Sequence, residues 1–140
     1  MGPVDLLWTL DLLLGRAAAV GADFILAGPV NLWLRGVAPP PREPRFILVT
    51  SREYGRRLIA ALRVGATHVE EPPQGAPSWL TARIRLRGAL VEVVEDPIIE
   101  GKRATAASLA READTALVGK YPLRLAPLWL EAALAEALES

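Results

Sequence analysis

The sequence contains no cysteine, a single histidine and few aromatic residues. The lack of cysteine excludes disulfide bridges, thiolate nucleophiles and cysteine-based zinc sites, and the residues around His68 fit no established metal-ligand spacing. The sixteen basic and sixteen acidic side chains cancel, so net charge does not favour non-specific binding to nucleic acid or an anionic membrane. No uninterrupted apolar run reaches the roughly 20 residues that a membrane span needs. These absences predict a cytoplasmic protein without a membrane anchor.

The chain is rich in the residues that build a core. It has 140 residues, of which 51% are hydrophobic, enough for one domain and too few for two of ordinary size. We therefore expect a single domain over residues 1–140. Fourteen of the sixteen basic residues are arginine, which is compatible with a thermophilic source or with a GC-rich genome.

The first half of the sequence alternates helix and strand signals. Apolar residues at three- and four-residue steps predict an amphipathic helix over residues 4–19. Residues 24–27 and 46–49 are apolar on both faces, which predicts two buried strands. Gly28-Pro29 ends the first strand and begins a short helix that extends to Arg35, and four prolines between residues 39 and 44 predict a stiff connecting loop.

The second half predicts a helix, a hairpin and shorter elements. Thr50 and Glu53 have the spacing of a capping box, so a helix should begin there and end near residue 64. Strict alternation before Gly88 and an apolar run after it predict a β-hairpin. A short segment at residues 67–69 precedes the hairpin, a short strand is expected near residues 116–118, and helices are expected at 105–113 and 127–138. This order predicts an α/β (α+β) fold in which a mixed β-sheet is covered by helices largely on one side.

The stretch FILAGPVNLWLRGVAPPPREPRFILVTS, residues 24–51, resembles the nucleotidyltransferase superfamily, specifically its small minimal members. In that family the first strand ends in Gly-Gly or Gly-Ser, whose backbone approaches the nucleotide phosphates. Here the matching pair is Gly28-Pro29, followed by Asn31 on the short helix. The resemblance covers nearly the whole chain and implies a nucleotidyltransferase-like fold. It also implies nucleotide binding by Gly28, Pro29, Asn31 and Arg45.

The same resemblance predicts an altered metal site. The family's next strand carries Asp-x-Asp and a later strand a third acid, and together they bind two divalent metals. In this sequence the match places Pro44 and Phe46 at the aspartate positions and Glu92 at the third. Glu43 and Glu92 are the remaining candidate catalytic carboxylates, and Glu92 is the one candidate metal ligand. We therefore expect a member of the superfamily that has lost the Asp-x-Asp metal site and needs no cofactor. Magnesium would be bound only if the protein is an active transferase.

Three functions follow as alternatives. The first is a non-catalytic protein that binds a nucleotide, an RNA end or a partner. The second is an antitoxin-type interaction module, with the proline loop and tryptophans forming the contact, and a homo-oligomer is compatible with both. The third is an active nucleotidyltransferase that uses Glu43 and Glu92 with one metal ion. Neither the substrate nor the nucleotide preference follows from the sequence.

Glu92 interrupts an apolar strand, and its partner depends on the length of the hairpin turn. A two-residue turn at Arg87-Gly88 places Arg83 opposite Glu92, which gives a cross-strand ion pair. A three-residue turn places Ile84 there instead, which leaves a carboxylate on an apolar face. We favour the ion pair, because cross-strand pairing is the ordinary way to place a charge in a strand.

Other basic residues have weaker functional interpretations. Arg83, Arg85 and Arg87 alternate on one face of the hairpin and could contact a phosphate backbone, but no aromatic residue accompanies them to stack on a base. A solvated face is the favoured interpretation. Lys120 and Arg124, near the last helix, would approach a nucleotide phosphate if the family's cleft is present.

Overall fold

A computed structural model of the protein describes residues 3–66, 68–99 and 102–139. The helices are α1 (Pro3–Ala19), α2 (Pro29–Leu34), α3 (Arg52–Arg63), α4 (Ala106–Glu112) and α5 (Leu128–Glu139). The strands are β1 (Ile25–Ala27), β2 (Arg45–Thr50), β3 (His68–Glu70), β4 (Leu80–Leu86), β5 (Ala89–Glu95), β6 (Ile98–Ile99), β7 (Lys102–Arg103), β8 (Asp114–Val118) and β9 (Tyr121–Leu125). None of these described helices is both long enough and apolar enough to cross a membrane.

Seven strands form one mixed sheet in the order β3-β4-β5-β2-β1-β9-β8, and β6 and β7 form a separate two-stranded sheet. Strand β2 lies at the centre, parallel to β5 and antiparallel to β1. Strand β1 is in turn parallel to β9. The predicted α/β class with a mixed sheet is confirmed. The β6–β7 pair is not predicted by the sequence, because two-residue strands are too short to show a period.

Helices cover both faces of the sheet, so the expectation that they lie largely on one side is wrong. Helices α1 and α3 pack on one face, where Leu10 and Leu58 are fully buried in the same cluster as Phe46. Helices α4 and α5 contribute Leu109 and Leu130 to a second buried cluster on the opposite face. Strands that are apolar on both sides need a cover on both sides, and the two late helices supply the second one.

The cap of α3 lies one residue later than predicted. The Ser51 hydroxyl accepts a hydrogen bond from the Tyr54 backbone N–H at 3.2 Å and caps the helix, whereas Thr50 is the last residue of β2 and its hydroxyl donates to the Asp23 carbonyl at 2.7 Å. Arg87 and Gly88 both have positive φ, 53° and 77°, as a two-residue hairpin turn requires. Arg83 therefore lies directly opposite Glu92, as predicted for a two-residue turn.

Candidate functional site

The end of β1 and the start of β2 meet at one edge of the sheet. These strands run antiparallel with Ala27 opposite Ile47, so Gly28 lies beside the first residues of β2. Gly28 has φ 90° and ψ −170°, a conformation that is essentially restricted to glycine. A Cβ at Gly28 would lie 3.1 Å from Cγ1 of Ile47. The glycine therefore allows both the turn and the close approach of β2.

Strand alternation decides which residues of β2 face Gly28. Phe46 is fully buried in the cluster with α1 and α3, on the opposite face of the sheet from Ile47. Arg45 and Ile47 line a pocket together with Gly28. The predicted placement of Pro44 and Phe46 at the aspartate positions is therefore wrong by one residue. The residues that face the glycine turn are Arg45 and Ile47, and neither carries a carboxylate.

Glu92 lies on β5 beside Ile47 of β2 and is only 3% exposed. Its Oε1 accepts a short hydrogen bond from Nε of Arg45. Its Oε2 lies 3.5 Å from Nε of Arg83, the residue opposite it on β4. Both carboxylate oxygens thus face guanidinium groups, which is the pairing that a buried charge requires.

This donor set does not fit a pair of divalent metals. Among residues 3–66, 68–99 and 102–139, no three acidic or histidine side chains lie close enough together to hold a metal ion. Glu43 is exposed on the proline loop, whereas Glu92 is buried between two arginines. Divalent magnesium and calcium bind clusters of oxygen ligands, and a neighbouring guanidinium opposes them by charge.

A carboxylate from the last helix occupies the glycine turn. The backbone N–H of Gly28 donates to both oxygens of Glu131, each at 2.9 Å. Nδ2 of the buried Asn31 donates to Oε1 of Glu131 at 2.8 Å and to the carbonyl of Ala126 at 3.1 Å. Glu131 is not among the predicted site residues. Its only sequence signal is an acidic residue in an otherwise apolar first turn of α5.

Burial raises the pKa of Glu131 above its ordinary value of 4.5, although hydrogen bonds from Asn31 and Gly28 and the charges of Arg35 and Arg45 act in the opposite direction. The ionised carboxylate is thus held in the fold at a cost that its donors only partly offset. A raised folded-state pKa means that the native protein binds more protons than the unfolded chain in this pH range. Ionisation of Glu131 therefore lowers stability as pH rises through the folded pKa.

Replacing Glu131 with glutamine should remove this pH dependence. As pH falls from 7 towards 4.5, we expect the melting temperature of the wild type to improve steadily relative to Glu131→Gln, because only the wild type relieves its ionisation cost. Thermal unfolding across this range measures the difference. Glu136→Gln, at an exposed position of the same helix, is the control and should follow the wild type. Parallel curves for the wild type and Glu131→Gln would contradict the prediction.

Two cavities adjoin the turn and share Pro29 and Arg45. One is an apolar pocket of about 330 Å³, whose walls include Leu32, Ile47 and Leu134. The other is a more polar cleft of about 800 Å³ that runs from the proline loop across β2 to β4. The site therefore combines an apolar compartment and a polar one side by side.

The remaining predicted residues are distributed between the site and other parts of the surface. Arg83 and Arg85 line the larger cleft, but Arg87 does not, and its guanidinium carbon lies 3.8 Å from the ring centroid of Trp8. Arg124 lines a separate cavity with Tyr121, and Lys120 lies over the Tyr121 ring. The site thus brings together Gly28, Pro29, Asn31, Arg45 and Glu92, with Glu43 at the margin of the larger cleft.

Comparison with solved structures identifies the fold. The chain matches a crystal structure of a candidate nucleotidyltransferase from Thermotoga maritima with a TM-score of 0.70 and 14% identity, over 99% of this chain and 88% of that one. It matches the crystal structure of ANT(2″)-Ia in complex with adenylyl-2″-tobramycin with a TM-score of 0.62 and 13% identity, over 93% and 72%. The solution structure of the antibiotic-resistance factor ANT(2″)-Ia matches with a TM-score of 0.61 and 12% identity, over 89% and 66%. The sequence matches no protein-family model and no curated protein.

These matches confirm the predicted nucleotidyltransferase-like fold. At such low identity a shared fold does not carry a shared activity, so the function must be argued from the site itself.

Proposed function

We propose that this protein is a nucleotidyltransferase-like protein that binds a nucleotide without transferring it. The observation that carries the proposal is the pairing of Glu92 with Arg45 and Arg83. A carboxylate that is 3% exposed between two guanidinium groups would have to break both contacts before it could bind a metal ion. Nucleotidyl transfer on this fold depends on metal ions that stabilise the attacking and leaving oxygens.

The residues that face Gly28 support the same proposal. In the family the acids of the second strand act together with the glycine turn, and here the corresponding face carries Arg45 and Ile47. Arginine presents a fixed positive charge and planar N–H donors that match phosphate oxygens. A fixed guanidinium therefore takes over charge neutralisation that a metal ion would otherwise provide.

The apolar pocket next to Arg45 supports binding of the nucleoside part. Its walls include Leu32, Ile47 and Leu134, and Glu131 and Arg45 are its charged lining residues. An aliphatic wall with few polar groups gives a base apolar contact but little hydrogen-bond selection. We therefore expect similar affinities for the four common ribonucleotides.

Calorimetric titration with ATP, GTP, CTP and UTP tests this function directly. We expect each nucleotide to bind with dissociation constants that agree within about threefold with and without magnesium, a difference of no more than about 0.7 kcal/mol. No adenylylated or uridylylated product should form from labelled nucleotide. Binding that requires magnesium, together with transfer of label, would overturn the proposal in favour of an active enzyme.

The other two functions stay predictions from the sequence. Activity through Glu43 and Glu92 would need the buried carboxylate to leave its arginine partners. An antitoxin-type role would use exposed tryptophans, and Trp8 and Trp129 are 57% and 47% exposed. Exposure of single aromatic residues is common on protein surfaces and does not by itself identify a partner.

A further inference from the structure

The cleft of about 800 Å³ has an unusual set of charged side chains. Its lining contains four arginines, Arg42, Arg45, Arg83 and Arg85, and one acidic residue, Glu43. The arginines come from three separate segments, namely the proline loop, the first residue of β2 and two alternate positions of β4. Their convergence is a product of the fold, since residues 45 and 83 are far apart in the chain.

Two acids outside the cleft lining hold three of these guanidinium groups, those of Arg45, Arg83 and Arg85, in place. Glu92 is 3% exposed and pairs with Arg45 and Arg83. Glu70 lies 3.5 Å from Nη1 of Arg83 and 3.8 Å from Nε of Arg85. Neither Glu70 nor Glu92 lines the cleft. The acids thus orient three of the arginines, and the four arginines taken with the three acids Glu43, Glu70 and Glu92 leave a net charge of +1.

The arginines keep the capacity to bind a ligand. A guanidinium group has five N–H donors in a planar arrangement. Arg83 already faces two carboxylates, so the exposed side chains of Arg42 and Arg85 are the ones that a ligand reaches first. The side chain of Arg85 is 46% exposed, and Arg42 is exposed on the loop. A ligand with several anionic oxygens can therefore contact both without displacing Glu92.

The glycine turn cannot bind that anion in its present state. The Gly28 N–H and the Asn31 amide already donate to the carboxylate of Glu131. A phosphate at that position would meet the negative charge of Glu131 at close range, which is strongly unfavourable in a partly buried site. An anionic ligand is therefore directed away from Gly28 and towards the arginines.

We infer that the cleft lined by Arg42, Arg45, Arg83 and Arg85 binds the phosphate chain of a terminal triphosphate without a metal ion. This inference rests on the proposed nucleotide-binding function and locates the phosphates of that ligand. Four guanidinium groups spread over a cleft of this size suit a chain of phosphates rather than a single one. Either a free nucleoside triphosphate or the 5′ end of an RNA presents this chemistry.

The test is a titration of inorganic tripolyphosphate, and separately of ATP, into the protein in the presence of EDTA. The double variant Arg42→Ala/Arg85→Ala should lose at least about tenfold in affinity for both probes, equivalent to 1.4 kcal/mol. Arg87→Ala removes one positive charge from the hairpin that carries Arg85, outside the cleft, and should bind like the wild type. Circular dichroism and thermal unfolding establish that each variant is folded.

The results of these titrations distinguish phosphate binding in the cleft from nucleotide binding by the protein. If ATP binds the double variant as tightly as it binds the wild type, the cleft is not the phosphate site and nucleotide binding stands. If tripolyphosphate binds the wild type but not the double variant, and ATP does not compete with it, the cleft is an anion site and the proposed nucleotide binding is wrong. If neither probe binds the wild type, both are overturned. If a 5′-triphosphorylated RNA oligonucleotide binds more tightly than ATP, the triphosphate ligand is an RNA end. If the two bind with equal affinity, the ligand is a free nucleotide.

Discussion

Replacing Glu92 with alanine should lower the free energy of unfolding by about 3 kcal/mol, the low end of the range for breaking a buried ion pair. The carboxylate is 3% exposed, and its removal leaves Arg45 and Arg83 facing each other without their shared counter-charge. Both arginine side chains are 25% exposed, so water relieves part of the cost. Chemical denaturation of the wild type and variant measures the difference.

Glu43→Ala is the matched control for this experiment. Glu43 is the other candidate catalytic carboxylate, but it lies exposed on the proline loop. Its replacement should change stability by no more than about 0.5 kcal/mol. Equal, small effects of the two substitutions would mean that Glu92 is not held as the structure describes. Such a result would mean that Glu92 can bind a metal ion and would support an active transferase.

Replacing Gly28 with alanine should destabilise the protein by about 3 kcal/mol, from backbone strain and steric overlap together. Its φ of 90° and ψ of −170° lie in a region that residues with a side chain rarely adopt. The new Cβ would also lie 3.1 Å from Cγ1 and 3.2 Å from Cδ1 of Ile47. For a chain of this size, the melting temperature should fall by roughly 10 °C.

Gly36→Ala separates strain from overlap. Gly36 also has a positive φ, 76°, but a Cβ there would meet no atom within 4 Å. We expect a loss of about 1–2 kcal/mol, the cost of the left-handed conformation alone. If Gly28→Ala and Gly36→Ala lose the same amount, the close approach of Ile47 contributes nothing to the requirement for glycine at the site.

The residues at the site agree only in part with those that the nucleotidyltransferase resemblance implies. Gly28 and the acid Glu92 agree with the residues that the nucleotidyltransferase resemblance implies, whereas Pro29 does not, and the facing residues of β2 are Arg45 and Ile47. Glu92 then serves as counter-charge to the arginines.

The sequence does not reveal which residues of β2 face each side of the sheet. The run from Phe46 to Val49 is apolar throughout, so it carries no alternation from which to decide which side each residue faces. The predicted aspartate positions were consequently displaced by one residue, and a shift of one residue exchanges the two faces of a strand. The β4–β5 hairpin was predicted correctly, because strict alternation in β4 and Gly88 define both its faces and its turn.

The sequence by itself determined the local elements of this protein. Periodicity, proline, glycine and capping residues act over a few positions, so they predict the helices, the central strands, the Gly28 turn and the pairing of Arg83 with Glu92. Only the tertiary structure decided that α4 and α5 cover the second face and that Glu131 reaches Gly28 across 103 residues. It also decided that Arg42, Arg45 and the β4 arginines converge on one cleft. These contacts depend on strand order and sheet face, which long-range packing sets and which no short stretch of sequence encodes.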